Sequence, residues 1–299
     1  MGETSLELIR EELEQLELDE TTGPMIAAED APALFRMLRK VAKQMRCRPL
    51  REVRLSFLPA CGITELVVRP DVSRPVLVVG LPVLHIWSVE ELEAVLAHEI
   101  AHLRHRDIEF QRTVLGWAGA LRQKLSKSDP ATADCWRRRW AQTSLHWVEY
   151  FARPVAREME FRADHCSAET IGSEELASAL EKLAVVQPIF HELLSRTEKV
   201  ASPNVYRDFA RTWRTLKGPT FRLLRQKLVA SASHESSDWH PPLGQRIDRL
   251  RRSGRSARLS AHPSLHLLDD PARLEQILHN HLFRSSSETP TTFRRAQGS

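Results

Sequence analysis

The sequence predicts an α+β protein that is mostly α-helical, with a small antiparallel sheet packed against one central helix. Three observations lead to this fold class. Apolar residues repeat at helical spacing over most of the chain. Short alternating or apolar runs, typical of strands, fall between residues 52 and 79. A helix with a strong start signal follows these runs directly, beginning after Ser88.

Composition is that of a folded globular chain, with 42% hydrophobic and 27% charged residues among 299. A net charge of +4 does not indicate nucleic-acid binding, and we expect none. The N-terminus lacks the pattern of a signal peptide, and no apolar run reaches the roughly eighteen residues that cross a bilayer. The cysteines form no Cys-x-x-Cys pair, which favours a reducing compartment: Cys47, Cys61, Cys135 and Cys166. We therefore expect a cytoplasmic protein without a transmembrane segment.

The two ends of the chain are predicted to lie outside the main domain, which we assign to residues 29–284. Residues 1–28 are assigned to an acidic N-terminal helix appended to the domain; the helix itself covers residues 5 to about 20, with a stripe of leucine and isoleucine, and Thr21-Thr22-Gly23-Pro24 breaks it. Inhibition of the domain, or binding of a partner protein, is an alternative use of that helix. Residues 285–299 are rich in serine and threonine, and we expect them to be disordered.

Inside the main domain, a helix with a buried apolar stripe is predicted to begin near Asp30, and three strands follow it. Val53, Leu55 and Phe57 alternate with polar residues, which indicates a half-buried strand. Residues 63–68 and 76–79 are two further strands. The exposed edge of such a sheet could hold an extended peptide by main-chain hydrogen bonds. Periodicity does not show which strand is the edge.

Helices are predicted for most of the remaining chain. One covers residues 108–127 and another 132–151, and Pro154 separates the latter from a helix that contains Glu160. A further helix begins at Ser173 and is interrupted at Pro188. Residues 202–230 are mostly helical, residues 243–252 form another helix, and a short helix starts at Asp270. The segment 132–151 is rich in tryptophan and arginine. It could lie on an anionic membrane surface, although a core helix with a solvated face is the interpretation we favour.

The central helix carries the pattern H-E-x-x-H from His98 to His102, and Ser88 with Glu91 predicts a capping box at its start. Two histidines four residues apart project from one helix face, so both imidazoles can reach a single tetrahedral ion. Glu99 lies beside that face, where a carboxylate can take a proton from a water whose pKa zinc lowers to about 7. This arrangement is typical of zinc peptidases. A surface helix with two histidines is the alternative.

A catalytic zinc needs a third protein ligand and one open position. Glu160 is the best candidate for that ligand, since Asp164 shares its helix face and could accept the free N–H of a zinc histidine, which we expect to be His98. One helix would then supply both carboxylates. The alternative is a solvated face with glutamate–arginine and aspartate–arginine pairs.

These motifs resemble those of the gluzincin metallopeptidases of the HtpX-like and CAAX-prenyl-protease-like group. The resemblance covers residues 30–252 and rests on three motifs in the family's order: His98-Glu99-x-x-His102, Arg157-x-x-Glu160-x-x-Ala163-Asp164, and Trp239-His240-Pro241-Pro242 followed by Arg246-Ile247. The family has integral-membrane members with spanning helices near the catalytic core, and this chain matches the soluble peptidase core. Residues 60–65 fit the family's pattern poorly.

The resemblance implies a zincin-like core that binds one Zn²⁺ per chain through His98, His102 and Glu160. It also implies Glu99 as catalytic base and Asp164 as the residue that holds a zinc histidine. The expected function is that of a zinc metalloendopeptidase acting on protein or peptide substrates. A latent or non-catalytic zinc-stabilised interaction module is one alternative, and a peripheral membrane-associated protease is another.

His240 is a further candidate catalytic residue. The prolines that follow it bias the preceding backbone toward an extended conformation, which directs the imidazole away from any helix. It could donate a hydrogen bond to a tetrahedral oxyanion, or occupy the fourth zinc position and keep the enzyme latent. The structural alternative is that it caps the helix beginning at Leu243.

Overall fold

The computed structural model describes residues 22–69, 72–127, 135–197, 204–216, 219–234, 240–254 and 262–284. The fold class is confirmed, because these residues form a mostly α-helical α+β structure with a single small sheet. Its elements are, in chain order, β1 (Thr22–Ile26), α1 (Pro32–Gln44), β2 (Glu52–Ser56), β3 (Cys61–Arg69), β4 (Val72–Gly80), α2 (Leu81–Leu84), α3 (Val89–His105), α4 (Asp107–Lys127), α5 (Cys135–Thr170), α6 (Ser173–Thr197), α7 (Val205–Thr215), α8 (Pro219–His234), α9 (Leu243–Ser253), a 3-10 turn (Ser264–Leu267) and α10 (Pro271–Arg284).

The sheet is mixed, with strand order β1-β2-β4-β3. The pairs β1 with β2 and β3 with β4 are antiparallel, as predicted, but β2 and β4 run parallel, so the prediction of an antiparallel sheet is wrong for this pair. Residues 57–60 reverse the chain after β2 and start β3 two strand positions away, which leaves a gap of one strand. The β3–β4 hairpin then returns β4 into the gap, where it must run in the direction of β2.

The edge strand β1 is absent from the prediction, because Gly23 and Pro24 read as a helix break. Proline is compatible with an edge strand, where one row of N–H groups has no partner in the sheet. A Cβ at Gly23 would lie 2.7 Å from Leu278 Cδ2 and 3.0 Å from Leu55 O, so the close approach of α10 and β2 requires glycine here. Part of the segment assigned to the appendage thus belongs to the sheet. The helix predicted before residue 21 and the disordered tail predicted for residues 285–299 lie outside the described ranges and stay predictions. The domain boundaries depend on these segments and stay predictions as well.

The prediction that β2 is half-buried is also wrong. Val53 and Leu55 are buried as expected, but Glu52 and Ser56 on the other face are buried too. Arg54 and Arg74 cover the Glu52 carboxylate at 2.9 and 2.8 Å and neutralise its charge. The polar face of the strand is therefore closed by ion pairs.

Helix α3 lies at the centre of the fold. It packs against α1, α5 and α6, and it also contacts α4 and β3. Apolar residues at helical spacing predict one buried stripe on this helix, and the stripe is buried at Leu92, Leu96 and Ile100 and partly buried at Leu103. The predicted capping box is confirmed, since Ser88 Oγ accepts the Glu91 N–H at 3.2 Å and Glu91 Oε2 accepts the Ser88 N–H at 2.7 Å. The central helix is therefore fixed by a capped N-terminus and a buried apolar face.

Helix α5 is one continuous helix of 36 residues, whereas the sequence predicts two helices separated near Pro154. A proline inside a helix removes one hydrogen bond and costs about 3 kcal/mol. The helix continues because it packs along α4, with Ala152 and Ala156 buried on either side of the proline. Helix α6 likewise continues through Pro188. No helix in the described part of the chain combines the length and apolar character needed to cross a bilayer.

Candidate metal centre

Helices α3 and α5 bring three donor groups to one buried point. His98 and His102 come from α3 and Glu160 from α5, and all three are less than 10% exposed. The two histidine Nε2 atoms are 3.1 Å apart, and the Glu160 oxygens lie 3.5 Å from His98 Nε2 and 3.6 Å from His102 Nε2. A tetrahedral ion with bonds of about 2.0–2.1 Å separates its ligand atoms by about 3.3–3.4 Å. These spacings therefore fit a single tetrahedral metal ion.

A carboxylate stands behind each histidine. Asp164 Oδ1 is 3.0 Å from His98 Nδ1, the pairing suggested from the sequence, and Asp107 Oδ2 is 2.9 Å from His102 Nδ1. A carboxylate at Nδ1 favours the proton on that nitrogen and leaves a lone pair on Nε2. Two such lone pairs facing each other at 3.1 Å repel unless a proton or a metal cation lies between them. The chemistry of the donor set thus suits a metal cation.

Asp107 was not recognised as a site residue from the sequence. It is 1% exposed at the first position of α4, and Arg162 Nη2 donates to its second oxygen at 2.5 Å. The sequence feature that could have indicated this role is the position of the acidic residue, five residues after His102, where the chain leaves α3. Because α3 ends with Arg106 in the left-handed conformation, the chain turns back and places this carboxylate behind the histidine.

Arg246 is the second residue whose position in the site was missed. It lies on α9, is 8% exposed, and donates from Nε and Nη2 to the two oxygens of Asp164 at 2.9 and 2.7 Å. Its Nη1 is 2.8 Å from Glu160 Oε2. Burial alone would lower the pKa of Arg246, but the two carboxylates raise it above its ordinary value. The guanidinium therefore links both α5 carboxylates while remaining charged.

The charges in the site shift the pKa values of its groups strongly. Burial alone would raise the pKa of Glu160, but His240, His98 and Arg246 hold it far below its usual range. Burial would also raise the pKa of Asp164, yet Arg246 and His98 lower it to about 2. Burial would lower the pKa of His98, whereas Asp164 and Glu160 raise it to about 9. The carboxylates are ionised, and the site favours positive charge at its centre.

Glu99 lies in the cleft that opens onto these residues. Its Oε2 accepts the N–H of Ile63 on the edge strand β3 at 3.1 Å. The cleft has a volume of about 310 Å³, and its walls include the donor residues together with Cys61, Gly62 and Ile63. Burial, with the charge of Glu99 adding to it, raises the pKa of the Cys61 thiol. The structure thus identifies the edge strand beside the site, which periodicity left open.

His240 lies at the mouth of the same cleft. Its Nδ1 is 3.0 Å from Glu160 Oε1, and its side chain is 56% exposed. Helix α9 has Pro242 at its N-cap position and no side-chain capping bond. The helix-capping role considered for His240 is therefore wrong. Its roles as oxyanion donor or fourth ligand stay predictions.

The fold and the site agree with the gluzincin class of metallopeptidases, in which two histidines of one helix and a glutamate of a second helix converge. Comparison with known families agrees with this class. The model of "Peptidase family M48" matches residues 75–253, a range that contains every candidate site residue. The chain belongs to peptidase family M48, and the resemblance to HtpX-like metallopeptidases is confirmed.

Individual relatives are distant. A protease HtpX homologue from Streptococcus uberis is 25% identical over 247 residues, which cover 76% of this chain and 75% of the relative. Protease HtpX homologue 1 from Saccharolobus solfataricus is 30% identical over 81 residues, 27% of this chain and 25% of its own length. A homologue from Polynucleobacter necessarius is 27% identical over 176 residues, covering 54% and 59%. The chain therefore spans less than two thirds of the latter two relatives. No solved structure matches the chain.

Proposed function

We propose that the protein is a cytoplasmic, zinc-dependent metalloendopeptidase that hydrolyses internal peptide bonds of protein substrates. In this proposal His98, His102 and Glu160 hold one zinc ion per chain. The observation that supports it best is the spacing of their donor atoms, 3.1 to 3.6 Å, which fits the edges of one coordination tetrahedron. Membership of a peptidase family supports the peptide bond as the target.

The donor set favours zinc among the common divalent ions. Magnesium and calcium prefer sites made of oxygen ligands, whereas two imidazoles and one carboxylate suit zinc. When bound, zinc would polarise the scissile carbonyl and lower the pKa of a water molecule. Asp107 and Asp164 fix the ring orientation of the two histidines, so that both Nε2 atoms point at one position.

Glu99 is the proposed general base. Its carboxylate accepts a proton from the attacking water at Oε and later delivers that proton to the leaving amine. The Ile63 N–H, donating to Oε2 at 3.1 Å, holds the carboxylate inside the cleft and toward β3. Arg246 positions the ligand carboxylate of Glu160 and the partner carboxylate Asp164. His240, exposed at the mouth of the cleft, is the candidate donor to the oxyanion.

Strand β3 offers the surface on which a substrate could bind. It is an edge strand of the sheet, and its residues Cys61, Gly62 and Ile63 line the cleft beside Glu99. An extended peptide could add to this edge through main-chain hydrogen bonds. Because the strand continues from the cleft to Arg69, such a peptide could extend beyond the scissile bond, which favours cleavage within a chain.

A comparison of wild type with Glu99→Gln tests this proposal. Both proteins are incubated with unfolded β-casein and with a lysate of the source organism, and new peptide termini are quantified. We expect the variant to retain its zinc and to lose roughly 10² to 10⁴ in rate, because only the proton acceptor is removed. Glu93→Gln is the matched control, since Glu93 lies on the same helix and pairs with Lys40 outside the site.

Two outcomes would contradict the proposal. Equal turnover by wild type and Glu99→Gln would remove Glu99 from the mechanism. Stoichiometric zinc in wild type, with no new termini in either sample, would favour the non-catalytic zinc-stabilised module instead.

A further inference from the structure

Large aromatic side chains are exposed on the N-terminal half of α5. Trp140, Trp147 and Phe151 are 65%, 51% and 63% exposed. Helix positions that are seven and eleven residues apart lie within about 40° of one another, so these three form one line, here called the aromatic stripe. Tyr150, 60% exposed, packs beside the stripe, with its ring centroid 5.3 Å from that of Phe151. Trp147, Tyr150 and Phe151 thus form a contiguous exposed aromatic surface, and Trp140 lies on the same side of the helix two turns before Trp147.

This exposure is concentrated on one helix pair. Nine large hydrophobic residues are exposed in the described part of the chain, and six of them lie on α4 and α5. The other three, Met25, Leu223 and Ile277, lie on three separate elements. Single exposed apolar residues are normal on a protein surface, whereas a contiguous patch marks an interaction site. The stripe therefore requires a partner surface.

The interior of the same helix pair contains small residues. Trp117 on α4 is 62% exposed, like the stripe on α5. A helix pair in water normally buries its large apolar side chains, whereas a helix that lies on a lipid surface turns them toward the lipid. The buried described side chains of α5 between 139 and 157, and of α4 after 110, are all alanines: Ala141, Ala152, Ala156 and Ala118.

Positive charge lies at one end of the pair. The sequence from Arg122 to Arg139 contains six basic and two acidic residues. Helix α4 ends at Lys127, and α5, which packs against it, begins at Cys135, so the six basic residues lie at the C-terminal end of α4 and the N-terminal end of α5. Arg139 is exposed next to Trp140. Aromatic rings next to clustered arginines and lysines are the chemistry of binding to anionic lipid surfaces.

We propose that α4 and α5 dock on an anionic lipid surface, with the aromatic stripe among the lipid head groups and the basic end against their phosphates. Tryptophan and tyrosine combine an apolar ring with a polar group, which suits the boundary between water and lipid. The apolar surface is confined to one side of α5, as expected for a helix lying in that boundary. Glu160 follows Phe151 by nine residues on the same helix, about 14 Å along its axis. Docking therefore holds the metal centre close to the lipid surface.

Co-sedimentation with vesicles tests the docking surface. Wild type should sediment with vesicles of 30% phosphatidylglycerol in phosphatidylcholine, and much less with phosphatidylcholine alone. The variant Trp140→Ser/Trp147→Ser/Phe151→Ser should partition at least about tenfold less, because three exposed aromatic rings no longer insert. The matched control, Met25→Ser/Leu223→Ser/Ile277→Ser, removes three similarly exposed apolar side chains and should bind like wild type. Thermal midpoints and zinc content verify that all variants are folded.

A second pair of variants tests the charge. Each basic residue near an anionic surface contributes about a fivefold increase in partitioning, so Arg137→Glu/Arg138→Glu/Arg139→Glu should lose at least about a hundredfold. Reversal of three exposed arginines on α1 and α10, Arg36→Glu/Arg39→Glu/Arg273→Glu, is the control with equal net charge. Both measurements record binding alone, so a failure of the proposed peptidase activity would not affect them.

The proposal is overturned if wild type does not sediment with anionic vesicles, or if the stripe variant sediments as wild type does. It is also overturned if wild type is a dimer by light scattering, the stripe variant is a monomer and neither binds vesicles. In that case the stripe is the contact surface of a second copy of the chain.

Discussion

Replacement of Arg246 by methionine should destabilise the protein strongly when no metal is bound. The guanidinium makes three contacts of 2.7 to 2.9 Å with Asp164 and Glu160, which are 5% and 4% exposed. Methionine keeps much of the volume but leaves two buried carboxylates without their shared cation. Removal of one partner from a buried ion pair costs about 3–5 kcal/mol. A loss near 4 kcal/mol is a large part of the about 5–15 kcal/mol that stabilises a typical domain.

Urea unfolding in the presence of EDTA measures this loss. At an m value of about 3 kcal/mol per molar urea, a loss of about 4 kcal/mol lowers the midpoint by about 1.3 M. Arg252→Met on the same helix is the control, because Arg252 is exposed and bonds only to the Asp248 carbonyl among the described contacts. We expect the control to stay within about 0.5 kcal/mol of wild type.

The double variant Arg246→Met/Asp164→Asn separates lost charge compensation from lost packing. If the carboxylate charge causes the loss, its neutralisation should recover at least about 1 kcal/mol relative to the sum of the single changes. A single-variant loss below about 1 kcal/mol, or strict additivity in the double variant, would refute the view that Arg246 neutralises the α5 carboxylates.

Three further changes have defined expected outcomes. Asp107→Asn should weaken zinc binding by about 10- to 100-fold in competition with a chelator, because His102 loses the carboxylate at its Nδ1; unchanged affinity would argue against that pairing. Ser88→Ala should lower the unfolding free energy by about 1 kcal/mol, since the capping box at the start of α3 is lost; an unchanged thermal midpoint would contradict this. His240→Ala should reduce the rate of casein cleavage if the residue stabilises the oxyanion, and should increase the basal rate of cleavage if the residue occupies the fourth zinc position. If neither the rate on casein nor the basal rate changes, both roles are excluded.

Local signals allowed the central helix and most of the donor set to be predicted. The capping box of Ser88 and Glu91 spans three residues, and the two histidines are related by one turn of the same helix. Glu160 and Asp164 were identified by the same one-turn spacing on α5. Within each of these pairs the geometry depends on helix periodicity alone, and the sequence contains that information directly.

Features that depend on contacts between distant segments were missed. The parallel pairing of β2 with β4 follows from the path of the β3–β4 hairpin, which periodicity within a strand does not contain. Continuation of α5 through Pro154 depends on packing against α4. Arg246 reaches Asp164 across 82 residues of sequence, and a single chain offers many arginines that could have done so. In each of these cases tertiary contacts determine the structure, and they override the local preference of the sequence.

X-ray absorption spectroscopy of the zinc-loaded protein would test whether His98, His102 and Glu160 form the metal site. We predict one zinc per chain with imidazole nitrogens at about 2.0–2.1 Å and carboxylate or water oxygens at about 2.0–2.2 Å. The imidazole signal should decrease in His98→Ala and in His102→Ala. A sulfur neighbour at about 2.3 Å, which Cys61 in the same cleft could supply, or an imidazole signal unchanged by both substitutions, would contradict this assignment.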